Sequence, residues 1–172
     1  MPGLVEAPVL ETERLRLRLP TARDLEPLAA MLADAEVTRF LGGAIADREQ
    51  SWRHLAFLIG HWHLRGYGLF AVEAKASGIF VGRVGLLEPE GWPGTELAWT
   101  IARPHWGQGY AVEAARAVLR WTVAALGRPA PISLIDPENR RSVRVAEKLG
   151  ARTEGTVRLY GHPVAVWRHR FP

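Results

Sequence analysis

Cysteine does not occur anywhere in the 172 residues. Its absence excludes a disulfide scaffold, a thiolate zinc site and a cysteine nucleophile within this sequence. Lysine is nearly absent as well, because only Lys75 and Lys148 occur among the 22 Lys and Arg residues. Arginine therefore carries almost all of the positive charge, which agrees equally well with codon bias and with phosphate recognition.

Long apolar runs are missing too. No stretch approaches the eighteen or so uninterrupted apolar residues that a membrane helix needs. The amino-terminal sequence MPGLVEAPVLETERL lacks the basic start and apolar run of a secretory signal. We therefore expect a cytoplasmic protein without a membrane segment.

The overall composition is that of a folded globular protein. Hydrophobic residues make up 48% of the chain and charged residues 23%, which excludes intrinsic disorder as the main state. The length, and the absence of repeats or linkers, predict a single domain over 1–172 with a loose leader over 1–10. The net charge of +4 and the pI of about 10.1 suit nucleic acid, membrane phosphate or a small polyanion, and do not choose among them.

Hydrophobic periodicity predicts a strand and two helices in the first third of the chain. Residues 14–19 alternate as a half-buried strand does, and Pro20 ends this run. Thr21 and Asp24 predict a capped helix start, and Asp47 with Gln50 predicts a second one. A Gly42-Gly43 break separates the two helices, and the second ends near Gly66. The predicted buried positions are Leu25, Leu28, Ala29 and Leu32 in the first helix, and Trp52, Leu55, Ile59 and Trp62 in the second.

The remainder of the chain alternates between strand and helix patterns. Strands are predicted at 69–74 and 79–87, joined at Ser77-Gly78, and at 96–101, 132–135 and on both sides of Gly161-His162-Pro163. The strongest helix begins at Ala111 and ends at Gly127, and a shorter one runs from about Asn139 to Gly150. Their predicted buried faces are Ala111, Ala114, Ala115, Val118, Leu119, Thr122, Ala125 and Leu126, and Val143, Ala146 and Leu149.

A glycine-rich segment, Trp106-Gly107-Gln108-Gly109-Tyr110-Ala111, lies between a strand and the strongest helix. Successive backbone N–H groups in such a loop can converge on an anion at the positive end of the helix. Glycine favours this arrangement because it permits close approach and positive φ. A plain tight turn that enters a helix is the alternative. The segment is not a P-loop, and it lacks the third glycine of a dinucleotide fingerprint.

A second constellation, the helix sequence from Asn139 to Ala151, follows one strand later. Together the two segments resemble the GNAT superfamily of acetyl-CoA-dependent N-acetyltransferases, most closely its RimJ/RimL branch. The sequence from Thr12 to Arg18 with Asp24 resembles the opening of that branch, and 96–99 resembles its fourth strand. The resemblance thus covers nearly the whole chain.

This resemblance implies an α+β fold. We expect a mixed, mostly antiparallel sheet of about seven strands, flanked by helices on both faces and splayed between strands four and five. The loop over 107–112 would hold the pyrophosphate of acetyl-CoA, and the pantetheine arm would lie in the splay. Trp106 stands where the wider superfamily has Arg or Gln, but backbone amides bind the phosphate. The implied cofactor-binding residues are Trp99, Ile101, Trp106, Gly107, Gln108, Gly109, Tyr110, Ala111, Asn139, Ser142 and Arg144.

Attack of an amine on a thioester needs a group that removes a proton from the ammonium. Glu96 is the first candidate, because the resemblance places carboxylates facing the acetyl group at the start of strand four, and a partly buried Glu titrates nearer neutrality. A surface glutamate at a strand edge is the alternative. Glu88, Glu90 and His105 are weaker candidates.

Ser142 matches the position from which a hydroxyl reaches the CoA sulfur in this branch. It would protonate the departing thiolate, although a thiolate with a pKa near 8.5 leaves tolerably without help. The alternatives are an ordinary first-turn serine for Ser142 and a simple cap for Asn139.

The aromatic residues divide between core and acceptor pocket. We expect Trp92 and Tyr160 to contribute to an acceptor pocket with Glu96, and Trp52 and Trp62 to lie in the core. His54, His61 and His63 do not predict a metal site, because 61 and 63 point to different helix faces and no carboxylate completes the set.

These features predict transfer of an acetyl group from acetyl-CoA to a primary amine by direct attack in a ternary complex. The acceptor is a protein N-terminal α-amine or a small-molecule amine, and residues 35–95 carry no motif that decides between them. One alternative is a non-catalytic acyl-CoA-binding or sensing module. A basic nucleic-acid or ribosome-associated protein is disfavoured, because the arginines are scattered along the chain. Related proteins are often dimers, which leaves a homodimer open.

Overall fold

A single mixed sheet of eight strands forms the frame of the molecule, whose computed structural model describes residues 7–42 and 46–171. The spatial order is β1-β2-β3-β4-β5-β6-β8-β7, and every neighbouring pair is antiparallel except β5 and β6. The strands are β1 (Leu10–Glu11), β2 (Leu15–Arg18), β3 (Leu69–Ala74), β4 (Ile79–Leu87), β5 (Glu96–Ile101), β6 (Ile132–Ile135), β7 (Arg152–Leu159) and β8 (His162–Arg168).

Helices cover both faces of this sheet. They are α1 (Leu25–Leu32), α2 (Ala35–Thr38), α3 (Arg48–Arg65), α4 (Tyr110–Trp121) and α5 (Arg140–Lys148). One apolar core lies between α4 and the sheet, and a second joins α1, α2 and α3 to the other face. No helix in the described ranges is long and apolar enough to cross a membrane. The predicted fold class is therefore confirmed.

The predicted helix starts are present as capping boxes. The Gln50 amide donates to Asp47 Oδ1 at 2.7 Å, and the Asp47 amide donates to Gln50 Oε1 at 2.9 Å. Thr21 and Asp24 form the other box, which opens a short 3₁₀ turn before α1. Gly66 ends α3 with φ +75°, as the sequence predicts. Gly42 lies in a turn after α2, and Gly43 falls outside the described residues.

The leader prediction is wrong for its last residue. Leu10 belongs to strand β1 and pairs with Leu17. With this extra strand the sheet has eight strands, whereas about seven were expected. Ala7 and Leu10 also pack against the core. A two-residue strand is too short to produce a detectable alternation. Residues 1–6, the rest of the predicted leader, lie outside the described ranges.

Trp52 was predicted to be buried on α3, and this is wrong, because its side chain is 57% exposed. The buried face consists of Ser51, Leu55, Leu58, His61 and Trp62. At 100° per residue Trp52 lies roughly 105° from the centre of that face. Trp62 is fully buried as predicted, and its indole N–H donates to the Leu69 carbonyl at 3.0 Å.

Smaller corrections concern the edges of other predicted buried faces. Ala125 is exposed, because residues 122–126 form a wider π-helical turn that rotates them away from the face of α4. Several positions are half-buried rather than buried, namely Ala29, Ile59, Ala111, Leu126, Val143 and Leu149.

A buried ion cluster joins β2, α1 and β3. The guanidinium of Arg18 donates to both carboxylate oxygens of Asp24, at 2.8 and 2.7 Å, and to Glu73 at 2.6 Å. Burial alone would raise the pKa of Asp24, but hydrogen bonds from Arg18 and the Thr21 amide outweigh it and hold that pKa below its usual value. The cluster therefore stabilises the entry into α1.

Replacing Asp24 tests the contribution of this cluster. We expect Asp24→Ala to lower the free energy of unfolding by about 3–5 kcal/mol, because it leaves Arg18 buried without its bidentate partner. Urea denaturation measures the change. Glu26→Ala is the matched control, since its exposed pair with Arg48 is worth about 1 kcal/mol or less. Equal losses in the two variants would contradict this assignment.

Candidate active site

Strands β5 and β6 separate soon after they meet. Their register contains one pair, Glu96 with Ile132, and the Ile132 amide also donates to the Thr95 carbonyl at 3.0 Å. Beyond this point side chains bond to main-chain groups of the two strands. Ser133 Oγ donates to the Leu97 carbonyl at 2.5 Å, and the Leu134 amide donates to the Glu96 carboxylate at 3.4 Å. The result is an opening in the sheet between β5 and β6.

Glu96 lies at the edge of this opening and is only 8% exposed. Its carboxylate accepts hydrogen bonds from the Trp92 indole at 2.8 Å and from the Leu134 amide. Burial raises the pKa of Glu96 to about 7, against these hydrogen bonds and the charge of Arg83, which lower it. A carboxylate with this pKa exchanges a proton readily near neutral pH.

Trp92 and Tyr160, the predicted acceptor-pocket residues, lie next to one another beside Glu96. Their rings meet edge to face with centroids 5.9 Å apart, and the Trp92 indole binds Glu96. Tyr160 is 82% exposed and has φ +49° at the turn between β7 and β8. The structure therefore groups the three residues at one mouth of the opening.

The glycine-rich segment follows the carboxyl end of β5, at the opposite end of this strand from Glu96, and leads into α4. We call these two ends the two mouths of the opening. Gly107 and Gly109 have φ values of +76° and +80°, which residues with side chains rarely adopt. A Cβ at Gly107 would meet nothing within 4 Å, so the surface above the loop is open. The first bond of α4 runs from the Glu113 amide to the Gly109 carbonyl at 3.1 Å. The N–H groups just before it have no acceptor within the helix, which makes this loop the candidate anion cradle.

A carboxylate close to this cradle is neutralised by the amino-terminal segment. Glu113 accepts from the hydroxyl of Thr12 at 2.5 Å and from the backbone and side chain of Arg14 at 2.9 and 2.7 Å. The Arg14 guanidinium also lies 4.8 Å from the ring centroid of Tyr110. The negative charge of Glu113 is therefore neutralised by Arg14, so it does not offset the positive charge at the amino-terminal end of α4.

The sequence from Asn139 begins α5 on the far side of the opening. Asn139 Oδ1 accepts from the Ser142 amide at 3.2 Å, so Asn139 caps the helix. The Trp99 indole donates to Ser142 Oγ at 3.2 Å. This hydrogen bond joins Trp99 of β5 to Ser142 of α5 and so fixes the position of the Ser142 hydroxyl beside the opening.

The remaining predicted cofactor residues differ in their placement. The Trp106 indole donates to the Ile101 carbonyl at 2.7 Å, and the guanidinium of Arg141 stacks on Trp106 at 3.7 Å. The side chain of Ile101 is buried in the core beneath α4, so only its main chain faces the loop. Arg144 is exposed on α5. Gln108 is exposed, whereas Tyr110 and Ala111 pack against the core.

The weaker base candidates are arranged differently from Glu96. Glu88 accepts from Tyr67, Thr95 and Arg128. Burial would raise its pKa, but these hydrogen bonds and nearby arginines lower it, so Glu88 is a poor proton acceptor near neutral pH. The side chain of Glu90 is fully exposed. His105 lies beside Tyr110 at the glycine-rich segment, with ring centroids 6.4 Å apart.

The three histidines of α3 are separated by their surroundings. His61 is buried, with Nδ1 bonded to the Tyr67 carbonyl at 2.8 Å and Nε2 accepting from the Glu88 amide at 2.9 Å. His54 contacts Arg83, and His63 is exposed. Within residues 7–42 and 46–171 no three His, Asp or Glu side chains are placed to hold a metal ion.

Arg83 is the residue at this site that the sequence did not reveal. It lies in the middle of β4, is 8% exposed, and belongs to the same face of the sheet as Glu96, because Arg83 pairs with Thr100 and Leu87 with Glu96. A charged residue inside the apolar run 79–87 is the signal that could have identified it.

Comparison with known proteins shows where this architecture occurs. A family model described as the acetyltransferase (GNAT) domain matches residues 14–152. The uncharacterized protein YkkB of Bacillus subtilis is 36% identical over 169 residues, covering 94% of this chain and 95% of that protein. The crystal structure of an acetyltransferase from Agrobacterium tumefaciens superimposes with a TM-score of 0.86 at 28% identity, covering 96% of this chain and 95% of that one.

A second solved structure shares the fold at lower identity. The RimL ribosomal L7/L12 alpha-N-protein acetyltransferase, solved in complex with coenzyme A, has a TM-score of 0.75 and 15% identity and covers 94% of this chain and 97% of its own. The family model spans most of the sequence, and the matched residues include the glycine-rich loop and both parted strands. This chain belongs to the GNAT family of acetyltransferases.

Proposed function

We propose that this protein transfers the acetyl group of acetyl-CoA to a primary amine by direct attack in a ternary complex. The observation that carries the proposal is the buried Glu96, whose pKa is raised to about 7 where β5 and β6 part. A sheet opening with an anion cradle at one mouth and a proton acceptor at the other matches the needs of this reaction.

The residues around the opening fit acetyl-CoA. Side chains would obstruct the close approach of a pyrophosphate to the backbone at Gly107 and Gly109, and neither position has one. Asn139 and Trp99 line the far side, where an extended amide-containing arm would lie between the strands. When bound, acetyl-CoA supplies the thioester whose carbonyl carbon the amine attacks as the thiolate leaves.

Glu96 has the role of general base in this proposal. In neutral solution a primary amine with a pKa near 10 is protonated. The ammonium must lose this proton before its nitrogen can attack the thioester. The carboxylate of Glu96 accepts that proton, directly or through a water. Trp92 orients the carboxylate through its indole N–H, and Tyr160 lies beside Trp92 at the acceptor mouth.

Ser142 has the role of meeting the sulfur in this proposal. Its hydroxyl accepts from Trp99, which leaves its own proton free to donate toward the opening. We assign the chain to the RimJ/RimL branch of the family, acting as one domain in the cytoplasm on a protein amino terminus or a small amine. The sequence segments 12–18, 106–111 and 139–151, together with the fold shared with RimL, support this assignment.

The cradle is tested by placing a carboxylate in it. We expect Gly109→Glu to abolish calorimetric binding of acetyl-CoA and of free CoA, because a negative side chain would occupy the space of the pyrophosphate. Gly78→Glu is the matched control, since Gly78 also has positive φ but lies in the turn between β3 and β4. Unchanged binding in Gly109→Glu would contradict the proposed site, and no binding to the folded wild type would contradict the proposed function.

The role of Glu96 is tested by its pH dependence. The base must be deprotonated, so kcat/KM for acetylation of an amine should rise with pH and level off above about 7. We expect Glu96→Gln to lower kcat by about 10²–10⁴-fold while leaving acetyl-CoA binding intact. Glu90→Gln, at a fully exposed side chain, is the control that should keep both.

Two outcomes would contradict this role. Full activity in Glu96→Gln would assign the proton transfer to another group. Tight acetyl-CoA binding by a wild-type protein that acetylates no amine would favour the acyl-CoA-sensing module instead.

Ser142→Ala tests protonation of the leaving group. We expect about a tenfold loss of kcat or less, because a thiolate with a pKa near 8.5 leaves without much assistance. The loss should be larger with a CoA analogue whose leaving group is more basic. Steady-state kinetics with both thioesters measures it, and equal losses with the two would contradict the role.

A further inference from the structure

Arg83 is a buried cation that the acetyl-transfer chemistry leaves unexplained. Its side chain contacts the ring of His54, and its Nε atom has no hydrogen-bond partner among the described residues. The structure pairs the other buried arginine of the sheet, Arg18, with two carboxylates, but within the described ranges it gives Arg83 no such ion pair. A buried guanidinium without a matched anion is costly.

The surroundings of Arg83 supply no full negative charge. Burial and, to a lesser extent, the charge of Arg83 together lower the pKa of His54 to about 3, so its ring is neutral and only accepts a hydrogen bond. Burial also lowers the pKa of Arg83 to about 10, while Glu96 acts in the opposite direction, so Arg83 stays cationic at neutral pH. Glu96 titrates near pH 7 and is therefore only a partial counter-charge.

A cavity of about 250 Å³ lies against this cation. At about 30 Å³ per water it has room for a group the size of a small amino acid. Arg83, His54, Gln50 and Thr38 contribute polar groups to its wall, and Leu32 contributes an apolar surface. The cavity thus combines one cation, neutral hydrogen-bonding groups and an aliphatic wall.

The position of Arg83 relates this cavity to the proposed base. Arg83 and Glu96 lie on the same face of neighbouring strands, and each charge acts on the other. A molecule that bound its anionic group at Arg83 would extend along this face toward Glu96. Its amine could then reach the carboxylate that removes the proton.

We propose that Arg83 binds a carboxylate of the acceptor, so that the substrate class is amines that also carry a carboxylate, such as amino acids. This inference rests on the proposed function. A carboxylate is favoured over a phosphate because it carries a single charge, and no second lysine or arginine among the described residues lines the cavity. The apolar wall indicates a short aliphatic portion.

The test compares ligands that differ only in the carboxylate. Each member of a panel of natural amino acids is titrated into the CoA-saturated wild-type protein beside its α-amide and its decarboxylated amine. We expect at least one amino acid to bind at least tenfold more tightly than both of its partners. Equal or weaker binding of every carboxylate-bearing member, or no binding by any of them, would overturn the proposal.

Variants assign the preference to Arg83. Arg83→Gln should remove the difference between acid and amide and raise the KM for the acid at least tenfold with less change in kcat, whereas Arg83→Lys should retain part of it. Arg120→Gln, on the exposed side of α4, is the matched control and should keep the full preference. A preference that survives in folded Arg83→Gln would place the carboxylate elsewhere. The ligand comparison on wild type needs no variant, so it decides even if Arg83→Gln does not fold.

The same experiments separate this inference from the proposed function. Acetylation of amines with no preference for a carboxylate would leave the transferase proposal intact and refute the role of Arg83. Tight binding of an amino acid without acetyl transfer would support the role of Arg83 and refute the proposed reaction.

Discussion

The parting of β5 and β6 is the constraint on which the rest of the site depends. Two parallel strands that share one register pair leave main-chain groups that need other partners. Glu96 and Ser133 supply two of them, to the Leu134 amide and the Leu97 carbonyl. The carboxylate is therefore buried because it completes the sheet, and its burial is what raises its pKa. The proposed base and the opening it serves have one structural cause.

Much of the frame could be predicted from the sequence because its signals are local. Capping boxes such as Asp47 with Gln50, helix-ending glycines such as Gly66, and strand alternation each act within a few residues. The structure shows the box and the glycine, and it shows the alternation of β2 except at Arg18, which is buried in the ion cluster. The position of Trp52 could not be predicted, because it lies at the edge of a helical face whose width depends on the packing of α1.

In the candidate site, too, some residues can be predicted from local sequence and others cannot. The glycine-rich loop and Glu96 stand out in sequence because their residue types suit the chemistry where they occur. The isolation of Arg83 does not, since it results from β4, α3 and the cavity between them, which only the folded chain brings together. Local patterns therefore identified the glycine-rich loop and Glu96 as candidates, whereas only tertiary packing brings Arg83 to the cavity beside α3.

The cradle before α4 is made of main-chain amides, and only Gly107 and Gly109 have backbone angles that other residues avoid. The exposed side chain of Gln108, which lies between them, is consequently free to change without altering that surface. In the proposed function the acceptor end instead consists of side chains such as Trp92 and Glu96, where each substitution changes shape or charge. Substitutions at that end would therefore change the acceptor while the main-chain surface proposed for the donor keeps its geometry.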